Sequence, residues 1–222
     1  MSIDNVEKIT ELIMDVIREK NLVTSGASDT LDEDLNIPVG ISNRHIHLSR
    51  EDLEICFGKD YQLTPIKDLS QPGQFACKET MTICGPKGSI ENVRVLGPVR
   101  KESQVEILAS DNFKLGIKAP LRISGEIAGS SPITIVGSKG SKYLHQGAIV
   151  AARHIHMTED DAKRFGVRNG QIVAIEVEGL RGGTYTNVVI RANDKSRLEC
   201  HLDTEESNAM GLNSKSKIRI IK

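Results

Sequence analysis

The tetrapeptide Arg44-His45-Ile46-His47 returns far downstream as Arg153-His154-Ile155-His156, and this repetition constrains the chain more than any other feature. Each copy continues through a hydrophobe (Leu48, Met157), a hydroxyl residue (Ser49, Thr158), a run of acidic residues and a short stretch that closes on Phe-Gly (Phe57-Gly58, Phe165-Gly166). The chain has six histidines, and four of them sit in these two copies. On an extended strand, residues two apart project from the same face, so each His-x-His is a claw of two imidazoles with its isoleucine turned the other way. Paired imidazoles suit a metal such as zinc. Two claws on one chain predict a paired or two-metal site. Ser49 with Asp52, and Thr158 with Asp161, fit a capping box with Asp in the Glu role, so each claw is expected to lead into a short helix.

Around the claws the texture is that of a β protein. From Ile37 onward, short β-rich runs alternate with Gly, Pro and Asn turns: residues 37–42, 80–84, 90–96, 104–108, 133–136, 148–151, 172–177, 187–191, 198–202 and 217–221. Helical signal is confined to residues 49–57, 158–165 and 203–210. Many short strands at regular spacing predict barrels or sandwiches, and the repeated strand–claw–helix unit predicts two related β-barrels. If each barrel presents its claw at a shared interface, the four histidines converge. Residues 3–20 stand apart: Ile3, Val6, Ile9, Leu12, Ile13, Val16 and Ile17 recur at helical spacing, and the small, polar and acidic residues that follow read as a linker. Such a helix needs a partner for its apolar stripe, either its own domain or a dimer mate, or another protein's groove.

Composition removes several classes of function. A net charge of −1 gives no global attraction to nucleic acid or an anionic membrane, and 3% aromatics without tryptophan leave little for base stacking. No apolar run is of membrane-spanning length and no signal-peptide pattern opens the chain, so an intracellular location is expected. Cys56, Cys77, Cys84 and Cys200 form no C-x-x-C pair and are expected to be free core residues. Cys200 neighbours His201 in sequence, so on a strand it points to the opposite face.

Further ligands are sought among the remaining residues. His201, on a short β-like run, is the candidate fifth nitrogen, whereas His145 has no partner at ligand spacing and reads as a surface or structural residue. Glu106 lies inside the apolar run Gln104-Val105-Glu106-Ile107-Leu108, as an oxygen ligand or as a solvent-facing strand residue. Arg100 is either a surface loop arginine or the planar fork that an anionic substrate such as phosphate requires. No phosphate-cradling G-x-x-x-x-G-K-[ST] loop and no nucleophile elbow is present, so any chemistry here is expected to be metal-centred.

Four stretches together are long and specific: Asn43-Arg44-His45-Ile46-His47-Leu48; Leu96-Gly97-Pro98-Val99-Arg100 through Gln104-Val105-Glu106; Ala152-Arg153-His154-Ile155-His156-Met157; and Thr204-Glu205-Glu206-Ser207-Asn208-Ala209. Over residues 35 to 222 the chain resembles the PduL-type phosphate propanoyltransferases (phosphotransacylases) of bacterial microcompartments. The resemblance implies a mainly β fold of two β-barrel domains with short capping α-helices, residues 35–43 plus 152–222 forming one and 44–151 the other. Residues 1–22 would then be an amphipathic encapsulation helix and 23–34 its linker.

The resemblance further implies two Zn2+ ions per chain and coenzyme A as substrate or product. One zinc is expected on His45, His47 and His201, and the other on His154, His156 and Glu106, with Arg100 as the catalytic arginine. Coenzyme A contacts are expected at Ser42, Lys67, Arg94, Leu96, His201 and Asn208. The implied reaction interconverts acyl-CoA, propanoyl-CoA above all, and phosphate with acyl phosphate and coenzyme A, in the catabolism of 1,2-propanediol or related aldehydes. The implied partners are shell or cargo proteins in the microcompartment lumen, bound through the N-terminal helix, and a second copy of the chain in a homodimer. A zinc-dependent hydrolase and a non-catalytic metal-binding barrel are the rival readings, since His-x-His claws occur in both settings.

Overall fold

The computed structural model describes residues 35–221; the expected helix over residues 1–22 and its linker lie outside the described residues. Strand β1 (Ile37–Ser42) opens the fold and is followed by β2 (His45–His47), α1 (Arg50–Phe57), β3 (Pro65–Asp68), β4 (Phe75–Cys84), β5 (Ser89–Gly97), β6 (Gln104–Ile107), α2 (Asp111–Leu115), β7 (Leu121–Arg122), β8 (Ser131–Val136) and β9 (Ser141–Ala151). The chain continues with β10 (His154–Met157), α3 (Glu159–Phe165), β11 (Ile172–Val177), β12 (Gly183–Ala192), β13 (Glu199–Asp203), α4 (Thr204–Met210) and β14 (Lys217–Ile221).

The strands close into two six-membered rings. The first runs β1-β13-β10-β12-β11-β14 and returns to β1. The second runs β2-β5-β4-β8-β9-β6 and returns to β2, with β3 added beside β4 and β7 beside β9. Both rings have the same pattern of neighbours. The claw strand β2 lies parallel to β5 and antiparallel to β6, and the claw strand β10 lies parallel to β12 and antiparallel to β13. Each third strand then pairs in parallel with the next, β6 with β9 and β13 with β1. The expected duplication is therefore a duplication of topology. The difference is the source of one strand: β9 comes from within the second barrel's own stretch, whereas β1 reaches the first barrel from ahead of the second.

Alternation along the strands puts one side of each ring into a dry core. Ile46, Val95, Val105, Ile107 and Ile135 meet inside the second barrel, and Ile37, Ile155, Ile175, Ile190, Cys200 and Leu202 inside the first. The isoleucine of each claw is thus a core anchor, fully buried in both barrels, where it contributes about 1.5–3 kcal/mol. Strands β2 and β6 are buried on both faces, which a strand facing water on one side is not. Their apolar residues fill the barrel, while His45, His47, Gln104 and Glu106 lie on the opposite face.

Local chemistry stops each claw after a few residues. Thr158 accepts a hydrogen bond from the Asp161 backbone N–H and Asp161 answers the Thr158 N–H, completing the expected capping box of α3. In the first copy Ser49 caps Asp52 N–H, but the return bond is missing. Ser103 Oγ takes the Ser49 N–H at 2.8 Å and donates to the Asp52 carboxylate at 2.6 Å. Gly166 closes α3 at φ 63°, a left-handed conformation that costs glycine nothing.

Candidate functional site

The site is built by register. Across the antiparallel pair β2–β6, His45 stands opposite Glu106 and His47 opposite Gln104. Across β10–β13, His154 stands opposite His201 and His156 opposite Glu199. Residues directly opposite one another share a face of the sheet. Two potential ligand groups result, His45–His47–Glu106 and His154–His156–His201, with the candidate ligand atoms of each within 4.8 Å of one another. The six residues expected as ligands all fall in these two groups, but the expected grouping of the third members is exchanged. Glu106 belongs with the first claw and His201 with the second, because each claw finds its third ligand on its own antiparallel neighbour.

Both groups line one cavity of about 420 Å³, together with Arg100, Arg191, Ser42, Arg94 and Leu96. The claws therefore converge on one space. Lys67, exposed on β3, and Asn208, exposed on α4, do not line this cavity. His145 is exposed and stacks edge-on with Tyr143, away from the cavity. Cys56, Cys77 and Cys200 are buried and free, and among the described residues no cysteine lines the cavity.

The imidazoles are oriented before any ligand arrives. His45 Nδ1 meets the Asn43 carbonyl at 2.8 Å, and His154 Nδ1 meets the Ala152 carbonyl at 2.8 Å. A carbonyl only accepts, so Nδ1 carries the proton and Nε2 presents its lone pair to the cavity. Such carbonyl contacts are the usual support of a metal-binding imidazole. In the second group the Nε2 atoms of His154 and His156 approach to 3.2 Å, and ring centroids lie 4.7–5.0 Å apart. Among the described residues, a buried nitrogen of His47 and one of His156 have no hydrogen-bond partner. Three nitrogens in one group, and two nitrogens with a carboxylate in the other, are donor sets that fit zinc or a similar divalent metal.

Electrostatics favours the ligand forms of His47, Glu106, His154 and His156, and opposes that of His45. Burial, then the neighbouring charge of His201, lowers the pKa of His154 to about 4. Burial and His154 lower that of His156 to about 2. Burial, reinforced by His45 and Arg100, holds His47 well below the ordinary range. For Glu106, burial works against ionisation, but His45 at 3.4 Å and His47 overcome it, and the carboxylate stays ionised far below its usual pKa. Burial likewise opposes a charge on His45, and Glu106 outweighs it, so His45 is raised.

Several supporting residues carried no signal in the sequence. Gln104 donates to Glu106 Oε1 at 2.6 Å and to Ser124 Oγ at 3.0 Å, and Arg100 Nη1 donates to the same Ser124 oxygen at 3.0 Å. Ser124 thus ties the arginine to the ligand-bearing strand. Glu199 Oε2 meets His201 Nε2 at 2.5 Å and accepts from Ser70 Oγ of the second barrel. Gly40, opposite His201 on β1, leaves the room for this: a Cβ there would lie 2.7 Å from the Glu199 carboxyl carbon. The arginines that open the two claws are each locked onto a carboxylate. Arg44 makes a two-pronged bond to Asp111 at 2.8 and 2.9 Å, and Arg153 binds Glu206 in the equivalent helix of the other barrel.

Comparison with known proteins places this geometry. A sequence model of the family described as phosphate propanoyltransferase matches residues 38–213. A phosphate propanoyltransferase of Thermotoga maritima is 50% identical over 214 residues, covering 96% of this chain and 99% of its own. One from Rhodobacter capsulatus is 51% identical over 186 residues, 84% of this chain and 86% of its own. One from Listeria monocytogenes is 44% identical over 218 residues, 98% of this chain and 97% of its own.

Proposed function

This chain belongs to the phosphate propanoyltransferase family and is an acyltransferase, and from that premise we propose that its cavity moves an acyl group between coenzyme A and inorganic phosphate beside two divalent metals. The observation that carries the reading is the convergence of two three-ligand groups and the Arg100 guanidinium on one cavity. His45, His47 and Glu106 would hold one Zn2+, and His154, His156 and His201 the other. When bound, the metals supply Lewis-acid polarisation of the thioester carbonyl and stabilisation of the departing thiolate.

The chain's own residues set up the rest. Arg100, held by Ser124, presents its planar fork to phosphate oxygens and places one of them for attack on the carbonyl carbon. The new C–O bond forms, the C–S bond breaks, and its electron pair leaves with sulfur as the coenzyme A thiolate. No protein nucleophile takes part. Burial pushes the thiols of Cys56 and Cys77 up to about 11 and that of Cys200 up to about 12, and all three sit in the barrel cores. Leu69 and Leu96 on the cavity wall restrict water, which would otherwise compete with phosphate for the acyl group.

Ser42, Arg94, Leu96 and His201, with Lys67 and Asn208 outside the cavity, are the proposed coenzyme A contacts. The barrels formed by residues 35–43 plus 152–222 and by 44–151 are the proposed domains. Residues 1–22 are proposed as an address to a microcompartment shell, in the breakdown of 1,2-propanediol or a related aldehyde precursor, and the working unit as a homodimer.

The test supplies propanoyl-CoA and phosphate with and without a chelator, and follows free thiol and acyl phosphate. Acyl phosphate formation that survives complete metal removal overturns the metal reading. Thiol release that needs no phosphate makes the protein a hydrolase.

A further inference from the structure

We propose that Arg191 is a second phosphate-binding residue, so that the substrate anion is held by two guanidinium forks, one from each barrel. The inference rests on the phosphate-transfer reading above and adds a residue to it. Arg191 lies on β12 between Ile190 and Ala192, both buried in the first barrel's core, so its side chain leaves on the opposite face. That is the face of the second claw, because Arg191 stands directly opposite His156 in the parallel pair β10–β12. The side chain reaches the cavity that Arg100 also lines.

The two arginines differ from the others around the site in what they lack. Arg44 and Arg153 are each paired with a carboxylate. Arg94, on the same cavity wall, gives its guanidinium to two backbone carbonyls, those of Cys77 and Lys78. Among the described residues neither Arg100 nor Arg191 has an ion pair within 4 Å, although both are half-buried. Burial disfavours the charge on each, and the charge of Arg191 bears directly on Arg100. Glu106 attracts both and Glu126 also attracts Arg191, but neither carboxylate forms an ion pair with either guanidinium, and Glu106 is already engaged by His45 and Gln104. Two half-buried like charges without an ion-pair partner are unfavourable, and bound divalent metals would add to the repulsion. A tetrahedral phosphate dianion answers this arrangement, because its several oxygens can accept from two planar forks at once.

The position selects inorganic or acyl phosphate over the phosphates of coenzyme A. Arg191 is beside His156, where the reacting atoms are expected, and the nucleotide phosphates lie at the far end of the pantetheine arm from the thiol.

The test measures Arg191→Ala and Arg191→Lys beside the wild type, varying inorganic phosphate and propanoyl-CoA separately, with metal content determined on each preparation. The expected result for Arg191→Ala is a phosphate KM raised at least tenfold, an acyl-CoA KM within twofold of wild type and unchanged metal. Arg191→Lys should recover only part of the phosphate affinity, since an ammonium offers no fork. If turnover of the alanine variant is too low to fit, binding of inorganic phosphate to the metal-loaded protein by calorimetry takes its place, with the same tenfold weakening expected. A phosphate affinity unchanged within twofold overturns the proposal. An effect confined to acyl-CoA, or loss of metal, also overturns it, assigning Arg191 to coenzyme A or to support of His156. A wild type that transfers nothing to phosphate refutes the transfer reading itself.

Discussion

Glu106 occupies in the second barrel the position that His201 occupies in the first. Each faces the leading histidine of its claw across an antiparallel pair, and each has a polar residue two places ahead that touches it, Gln104 in one case and Glu199 in the other. The two ligand groups are thus related by duplication but differ by one anionic oxygen. One would offset a unit of metal charge; the other offers only neutral nitrogens.

This difference makes the third ligands separable. Glu106→Gln and His201→Ala are each expected to halve the metal bound per chain and to reduce turnover by roughly a hundredfold or more. Glu106→His, which copies the second group into the first barrel, should keep its metal. Elemental analysis of the three purified variants decides the matter. Loss of both metals from either single variant would show one shared site in place of two.

Arg100 is predicted to act on turnover and phosphate binding but not on the metals. Its guanidinium is bonded to Ser124 and to no candidate ligand residue, so Arg100→Ala should retain full metal content and lose about 2.7–4 kcal/mol of transition-state stabilisation, a fall of roughly 10²–10³ in turnover. Steady-state kinetics together with metal analysis test this. Wild-type turnover in the variant would return Arg100 to the status of a loop residue.

Arg44, itself on the cavity wall, is braced beside the second barrel's claw by Asp111. Asp111 is buried, accepts two bonds from Arg44 and a third from the Leu108 N–H at 2.9 Å. Arg44 remains partly exposed, so the loss on Asp111→Asn is set below that of a fully buried pair, at about 2 kcal/mol. A lowered urea midpoint with an unchanged denaturant slope is the expected signature.

Glu79 gives the fold a dependence on acid. Burial works against its ionisation, but Thr64, whose N–H donates at 3.1–3.2 Å, and the Tyr61 hydroxyl at 3.0 Å prevail, and its pKa is lowered from 4.5. A carboxylate lowered on folding contributes stability that is complete above its unfolded pKa and fades as pH falls through the folded value. Glu79→Gln should therefore be less stable than wild type at pH 7, and the gap should close as pH drops below about 4.5. Melting curves of both proteins across that range check the prediction. A gap that persists at low pH would assign the effect to shape rather than charge.

What could be read from the sequence was whatever depends on near neighbours. Alternation placed Ile46 and Ile155 in cores and the four claw histidines together, and the hydroxyl-to-acid spacing marked where α1 and α3 begin. The partner of each claw was not legible, because it is decided by which strand lies alongside. Glu106 joins His45 across some sixty residues of chain, and only the closed ring specifies that β6 rather than β13 is its neighbour. Arg191 was hidden for the same reason: within Val188-Val189-Ile190-Arg191 it reads as an outward strand residue, and the β10 strand beside it is what turns that outward face into a cavity wall. Helix α2 escaped because five residues make too short a pattern to show a period.

The origin of β1 bears on how the protein is made. All six strands of the second barrel, and with them His45, His47 and Glu106, have been made once Ala151 is synthesised. By then β1 has also been made, but its partners are β13 and β14, with Ile37 lying against Ile218 near the opposite end of the chain. It must wait for β13, some 160 residues further on, before it can be paired. Vectorial synthesis therefore delivers one candidate ligand group early on a barrel able to close, and the other only once His201 has been made. A nascent chain halted before β13 has His154, His156 and Arg191 but lacks His201, Glu199 and the strand on which β1 pairs, so the second group and its barrel are completed in a single late step.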